Sequence, residues 1–168
     1  MDEKTYPNIT VVDEHDVVIG YMQLFDAIAA GHIRRVVYVL VFNEKNEVLI
    51  QRRGEHVLNP CLLDASASGH VDEGDTYEGA AIRELEEELG LTGLPLTLVT
   101  DPFYTPHFYN AVFTANIGAV TIEPASNELA SAQWVPFETL TQQIQDEAVL
   151  FTPEFVRIFK IVCDKITP

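Results

Sequence analysis

The stretch Gly69–Leu91, GHVDEGDTYEGAAIRELEEELGL, reads as a loop feeding a helix. Its helical part carries Glu84, Glu87 and Glu88 at spacings i, i+3 and i+4. At about 100° per residue these fall on one face, at roughly 0°, 300° and 40° on a helical wheel. Residues three and four apart on a helix are neighbours, and like charges there repel. A helix needing only solvation would mix the signs. The cluster therefore predicts a bound cation, and hard oxygen ligands suit Mg²⁺ or Mn²⁺. Tyr77, Ala81, Leu85 and Leu89, with Ile82 beside them, form an apolar stripe bordering the carboxylates. Such a helix packs on a sheet while its glutamates open into a cleft. Asp75 is the expected N-cap, with Glu78 completing a capping box, and Gly90 is the expected stop.

The order of these residues resembles the Nudix box. That pattern is a Gly, five residues, an acid, seven residues, then Arg-Glu-apolar-any-Glu-Glu-any-Gly-apolar. Here the elements are Gly69, Asp75, Arg83, Glu84, Leu85, Glu87, Glu88, Gly90 and Leu91. Asp75 stands where the family usually has Glu. The resemblance implies an α/β class fold, an α/β/α sandwich with a mixed sheet and a catalytic loop-helix. It implies metal-dependent hydrolysis of a nucleoside diphosphate derivative or a related organic diphosphate, with water attacking phosphorus. Glu87 and Glu88 match the box's metal ligands, and Glu84 matches a ligand or general base. Ser68 precedes the box glycine, where the family often supplies a backbone carbonyl to the metal. Arg83, four residues before Glu87, is expected to pair with and orient that ligand. For a further acid from a later loop, Glu128 is the candidate by position and Glu123 the second.

Pro60–His70, PCLLDASASGH, is more specifically similar to the isopentenyl diphosphate isomerase branch of Nudix proteins. In that isomerase a Cys directly precedes the box Gly-His and drives protonation chemistry. Here that position is Ser68, and Cys61 lies seven residues earlier. All three box glutamates are present, which favours hydrolase over isomerase and over a silent module binding a phosphorylated ligand. His70 matches a metal-binding His of the isomerase.

Outward from the box, the chain of 168 residues suits one domain, with 1–33 as a β-hairpin extension and 35–165 as the core. Ile9–Val12 and Val17–Met22 are β-rich runs, followed by a helical turn or two over Leu24–Ala30. Val36–Phe42 is an almost unbroken apolar run and predicts a central strand buried on both faces. Glu47–Gln51 returns as its partner and closes on Arg52 and Arg53. That pair is either a salt-bridged edge or a phosphate clamp, since guanidinium binds phosphate oxygens bidentately. Leu62–Ala67 reads as one strand. Later strands are expected at Leu96–Thr100, His107–Asn116, Ala119–Ile122 and Ser131–Val135. Tyr104 and His107 are candidates for lining a substrate pocket, against the plainer reading of aromatic cross-strand packing. Pro136 and Pro153 suit the first turns of two final helices. The last is too broadly apolar to be freely solvated, so it packs on the domain or in a homodimer.

The net charge of −16 and pI near 4.4 disfavour an electrostatic nucleic-acid binder. An acidic site that handles phosphates must hold cations, so charge and motif point to the same cofactor. Cys61 and Cys163 show neither zinc spacing nor a disulfide framework. No signal peptide and no long apolar span are visible, so the expected setting is the cytoplasm, away from membranes.

Overall fold

A computed structural model describes residues 7–118, 122, 128–147 and 150–166. Its spine is β3 (Ile33–Phe42). Along it, Val36, Tyr38, Leu40 and Phe42 face one way and Val37, Val39 and Val41 the other, as the two-residue period of a strand requires. All seven are buried, so the strand is covered on both faces. One cover is α2 (Tyr77–Leu89), which packs Ala80, Ala81, Leu85 and Leu89 against the odd-numbered face. The other is α3 (Phe137–Gln145) and α4 (Pro153–Val162). A relay of aromatic rings, Phe42, Phe137, Phe159, Phe155 and Phe151, runs through this second layer at centroid spacings of 5.6 to 5.8 Å. The result is an α/β/α sandwich around a mixed sheet. The apolar face of α4 is thus spent inside the molecule, with Phe155, Ile158, Phe159 and Val162 all buried.

Pairing along β3 changes with position. β9 (Phe108–Asn116) runs parallel to it over nine residue pairs. On the other side, β1 (Ile9–Val12) meets it at Ile33 and Arg34, and β6 (Ala67–His70) pairs antiparallel with Val36–Val39. β4 (Glu47–Arg53) touches β3 only at the pair Phe42 and Val48, then diverges to pair with β10 (Leu129–Pro136). The sheet therefore opens between β3 and β4.

Ser66 fills that opening. Its hydroxyl donates to the Leu49 carbonyl at 2.6 Å and accepts the Val41 N–H at 2.8 Å. This is why Leu62–Ala67 is not one strand. It splits into β5 (Leu63–Asp64), which pairs with β4, and β6, which pairs with β3. A short β8 (Phe103–Thr105) also forms where no strand is evident from sequence. It pairs back on β9 through a turn at His107, whose φ is 73°. β7 (Leu96–Leu98) pairs with β9 as well. The expected strand Ala119–Ile122 lies almost wholly outside the described residues.

The N-terminal segment is tied to the box. β1 and β2 (Val18–Met22) form the expected hairpin, and α1 (Leu24–Ala29) follows. Thr10 binds the box loop twice: its N–H donates to Val71 C=O at 2.8 Å and its hydroxyl to Asp72 C=O at 3.0 Å. Asp16 accepts from Arg35 at 2.7 Å and from the Tyr77 hydroxyl at 3.0 Å. The hairpin therefore holds both the loop and the first residue of α2.

Candidate active site

Thr76, not Asp75, caps α2: its hydroxyl accepts the Gly79 N–H at 3.0 Å. The Asp75 carboxylate accepts the Thr76 N–H and lies 3.8 Å from Nε of Arg83. At the other end Gly90 takes φ 67°, a left-handed conformation natural to glycine, and stops the helix. Ile82 is exposed rather than part of the apolar stripe.

Between these ends the three glutamates separate by depth. Glu84 and Glu88 are buried, while the Glu87 side chain is 59% exposed. Glu88 accepts two N–H groups at 3.2 Å, from the Gln51 side chain and the Ser68 backbone. Burial, reinforced by Glu84, pushes its acid pKa well above the ordinary value despite the Ser68 bond. Glu84 lies over the backbone of β6, and a Cβ at Gly69 would run into its carboxylate. Only glycine leaves room there. Burial raises Glu84 to about 7, with Arg83 pulling the other way.

Arg83 gathers the surrounding acids. One Nη approaches Glu84 at 2.8 Å and Glu87 at 3.3 Å. The other approaches Asp72 at 3.3 Å and donates to His70 C=O at 2.9 Å. Burial works against its charge, but Glu84, Asp72 and Glu87 outweigh it and hold its pKa above the ordinary value. A single guanidinium thus faces Asp72, Asp75, Glu84 and Glu87, with Glu88 one turn on. That surplus of negative oxygen, two of the carboxylates buried, is a donor set for a hard divalent cation. Among the described residues no three His, Cys, Asp or Glu side chains already converge as a metal cluster. Magnesium is commonly held by one or two carboxylates, with waters and substrate phosphates completing the sphere. The residues present fit that mode.

On the opposite face of β6 lies a cavity of ≈ 260 Å³. Ser68, Gly69 and His70 form one wall, and Arg34, Tyr38, Arg53, Asp64, Phe108 and Glu154 are among the residues lining the rest. Asp64 is buried, and burial raises it to about 6 although Arg53 lies 3.3 Å away. His70 is pushed down to about 3, by burial first and then by Arg34 and Arg83, so its imidazole is neutral.

The remaining candidates scatter. Arg53 reaches the cavity, bonding Leu58 C=O and Asp64. Arg52 alternates to the outside and bonds Cys61 C=O. Tyr104 is exposed and packs 5.9 Å from Tyr109, and His107 occupies the exposed turn before β9. Neither lines the cavity; Phe108 does. Glu128 is exposed at the start of β10, where its carbonyl accepts the Gly54 N–H at 2.7 Å. Glu123 lies outside the described residues. Gln51, Asp72, Asp64 and Arg34 also touch the box side chains or line the cavity, beyond the candidates legible in the sequence. A signal existed for two of them. Gln51 ends the apolar run Val48–Ile50, and Arg34 shares the two-residue phase of Val36 and Tyr38.

The NUDIX domain profile matches residues 32–156. An uncharacterised Nudix hydrolase of Streptomyces coelicolor is 31% identical over 134 residues, covering 76% of this chain and 74% of that protein. An isopentenyl-diphosphate delta-isomerase of Gibberella zeae is 29% identical over 186 residues, covering 93% of this chain and 72% of that protein. The crystal structure of DR0079 from Deinococcus radiodurans matches with a TM-score of 0.80 at 25% identity, covering 92% of this chain and 98% of that one.

Proposed function

The chain belongs to the NUDIX domain family, whose hydrolases act on diphosphate-containing substrates and generally use divalent metal ions, and from that premise we propose that it hydrolyses a diphosphate linkage in a nucleoside diphosphate derivative or a related organic diphosphate. The observation that carries this reading is the pair of buried carboxylates at β6, Glu84 over the bare backbone of Gly69 and Glu88 on the Ser68 N–H. Buried like charges are costly unless a cation joins them. Glu88 and Glu87, with the Ser68 carbonyl, would hold Mg²⁺ or Mn²⁺. When bound, such an ion offsets phosphate charge and lowers the pKa of attacking water. Gln51 and the Ser68 N–H aim Glu88. Arg83 fixes one oxygen of Glu84, and the other takes the proton of the attacking water. Arg53 faces the substrate from the cavity side. The setting we propose is cytoplasmic; among the described residues no helix is long and apolar enough to cross a membrane.

A second reading has a specific observation behind it, the isomerase relative spanning 93% of this chain. Against it, Ser68 offers a hydroxyl where that branch has a thiol, and a hydroxyl is the weaker acid. The test is a panel of nucleoside di- and triphosphates, dinucleotides, nucleotide sugars and isopentenyl diphosphate, with Mg²⁺, Mn²⁺ or EDTA. Metal-dependent release of phosphate, pyrophosphate or nucleoside monophosphate is expected. Isomerised product without phosphate release would replace the hydrolase reading.

A further inference from the structure

Arg34 is a charged residue of this cavity that the metal-centred reading leaves unused. It is only 6% exposed, on the face of β3 that looks toward α4. Its guanidinium carbon lies 4.6 Å from the centre of the Phe108 ring. Its Nε has no hydrogen-bond partner, and neither has Nε2 of His70 on the adjacent wall. Among the described residues no carboxylate comes within ion-pair distance of it; Glu154, which lines the same cavity, acts on it from beyond that distance. The contrast with its neighbours is sharp. Arg35 pairs with Asp16, Arg53 with Asp64, and Arg83 with four acids. A buried charge without a partner is strongly unfavourable, and the chain carries a large excess of acids from which a partner might have been drawn. Stacking on Phe108 offsets part of that cost and fixes the plane of the guanidinium. Arg34 is one of the residues lining the cavity.

We propose that Arg34, with Nε2 of His70 beside it, forms an oxyanion subsite that takes a carboxylate or phosphoryl group of the substrate outside the metal-held diphosphate. The subsite rests on the hydrolase reading only for the claim that its ligand is part of the substrate. A planar guanidinium edge matches the two oxygens of a carboxylate or phosphoryl group. An unpaired formal charge selects an anion over a neutral acceptor. The wall it shares with the metal site is one strand thick. The Ser68 N–H holds Glu88, and Gly69 lies beneath Glu84, while both residues also line the cavity. Ser68 and Gly69 therefore belong both to the metal site and to the cavity wall.

The test needs no turnover. Protein in EDTA is titrated calorimetrically with inorganic orthophosphate and, separately, with acetate. Wild type, R34Q, R34K, R34M and E88Q are compared. The expected result is binding of at least one anion by wild type, weakened at least tenfold in R34Q, partly retained in R34K and unchanged in E88Q. Orthophosphate alone would assign a phosphoryl group, acetate alone a carboxylate. Equal affinity in wild type and R34Q, or no binding of either anion by wild type, overturns the subsite. R34M supplies a second readout. It should melt above wild type without anion, since an unpaired buried charge has been removed. A lower melting point together with unchanged anion binding would make Arg34 a packing residue of Phe108. Because E88Q should lose metal-dependent hydrolysis but keep anion binding, failure of the subsite and failure of the hydrolase reading separate.

Discussion

Replacing Glu84 with Gln should stabilise the metal-free protein at alkaline pH and do little in acid. Glu84 is buried, and burial moves its acid from an ordinary 4.5 to about 7. That difference corresponds to about 3 kcal/mol between its charged and neutral forms. The sign follows from linkage. The folded protein holds this proton more tightly than the unfolded chain, so the favourable contribution is complete below the unfolded value. It is lost as pH rises toward 7, and above that the charged side chain penalises the fold. A Gln keeps an acceptor for Arg83 but carries no charge to desolvate. Relative to wild type, E84Q should therefore gain about 2–3 kcal/mol on going from pH 5 to pH 8. For a chain of this size that is roughly 5–10 °C in melting temperature. The assay is thermal unfolding in EDTA at both pH values. Excess Mg²⁺ should then raise wild type more than E84Q. A difference between the two proteins that is the same at pH 5 and pH 8, or an E84Q that melts lower at pH 8, would refute the account of Glu84 as a buried acid whose charge Arg83 only partly offsets.

Three further outcomes are expected. E88Q should lower metal-dependent turnover by about 100-fold or more, the upper end of what outer partners of a metal contribute; initial rates at limiting Mg²⁺ equal to wild type would contradict this. R83A should weaken Mn²⁺ binding by about 10–100-fold, because the Glu84 and Glu87 carboxylates lose the guanidinium that orients them; an unchanged titration would remove Arg83 from the site. S66A leaves the buried Val41 N–H and Leu49 C=O without their shared partner, and should cost about 2–4 kcal/mol in urea unfolding; no measurable change would mean that Ser66 does not hold the gap between β3 and β4.

What was legible in the chain was local. Spacings of three and four put Glu84, Glu87 and Glu88 on one helix face, and the same wheel put Ala81, Leu85 and Leu89 on the sheet side. The unbroken apolar run of β3 announced a strand covered twice. Glycine marked the end of α2 because a left-handed residue is needed there. What was hidden depends on register between distant segments. Thr76 caps α2 because Asp75 is turned toward Arg83, a residue two helical turns on. Leu62–Ala67 breaks because β3 and β4 part after a single pair, which no window of sequence contains. Gln51 reaches Glu88 across 37 residues of chain, and Arg34 meets His70 only once β6 has paired with β3. The separation of Glu87 from its two buried neighbours is likewise set by what packs above the helix, not by the helix itself.

The most direct test of metal-assisted attack by water at phosphorus is hydrolysis in H₂¹⁸O of whichever diphosphate the panel identifies, followed by mass spectrometry of both products. The account predicts one ¹⁸O on the phosphoryl group of a single product, appearing only with Mg²⁺ or Mn²⁺ and lost in E88Q. Label on a carbon-bound oxygen, label released equally in EDTA, or full activity in E88Q would contradict it.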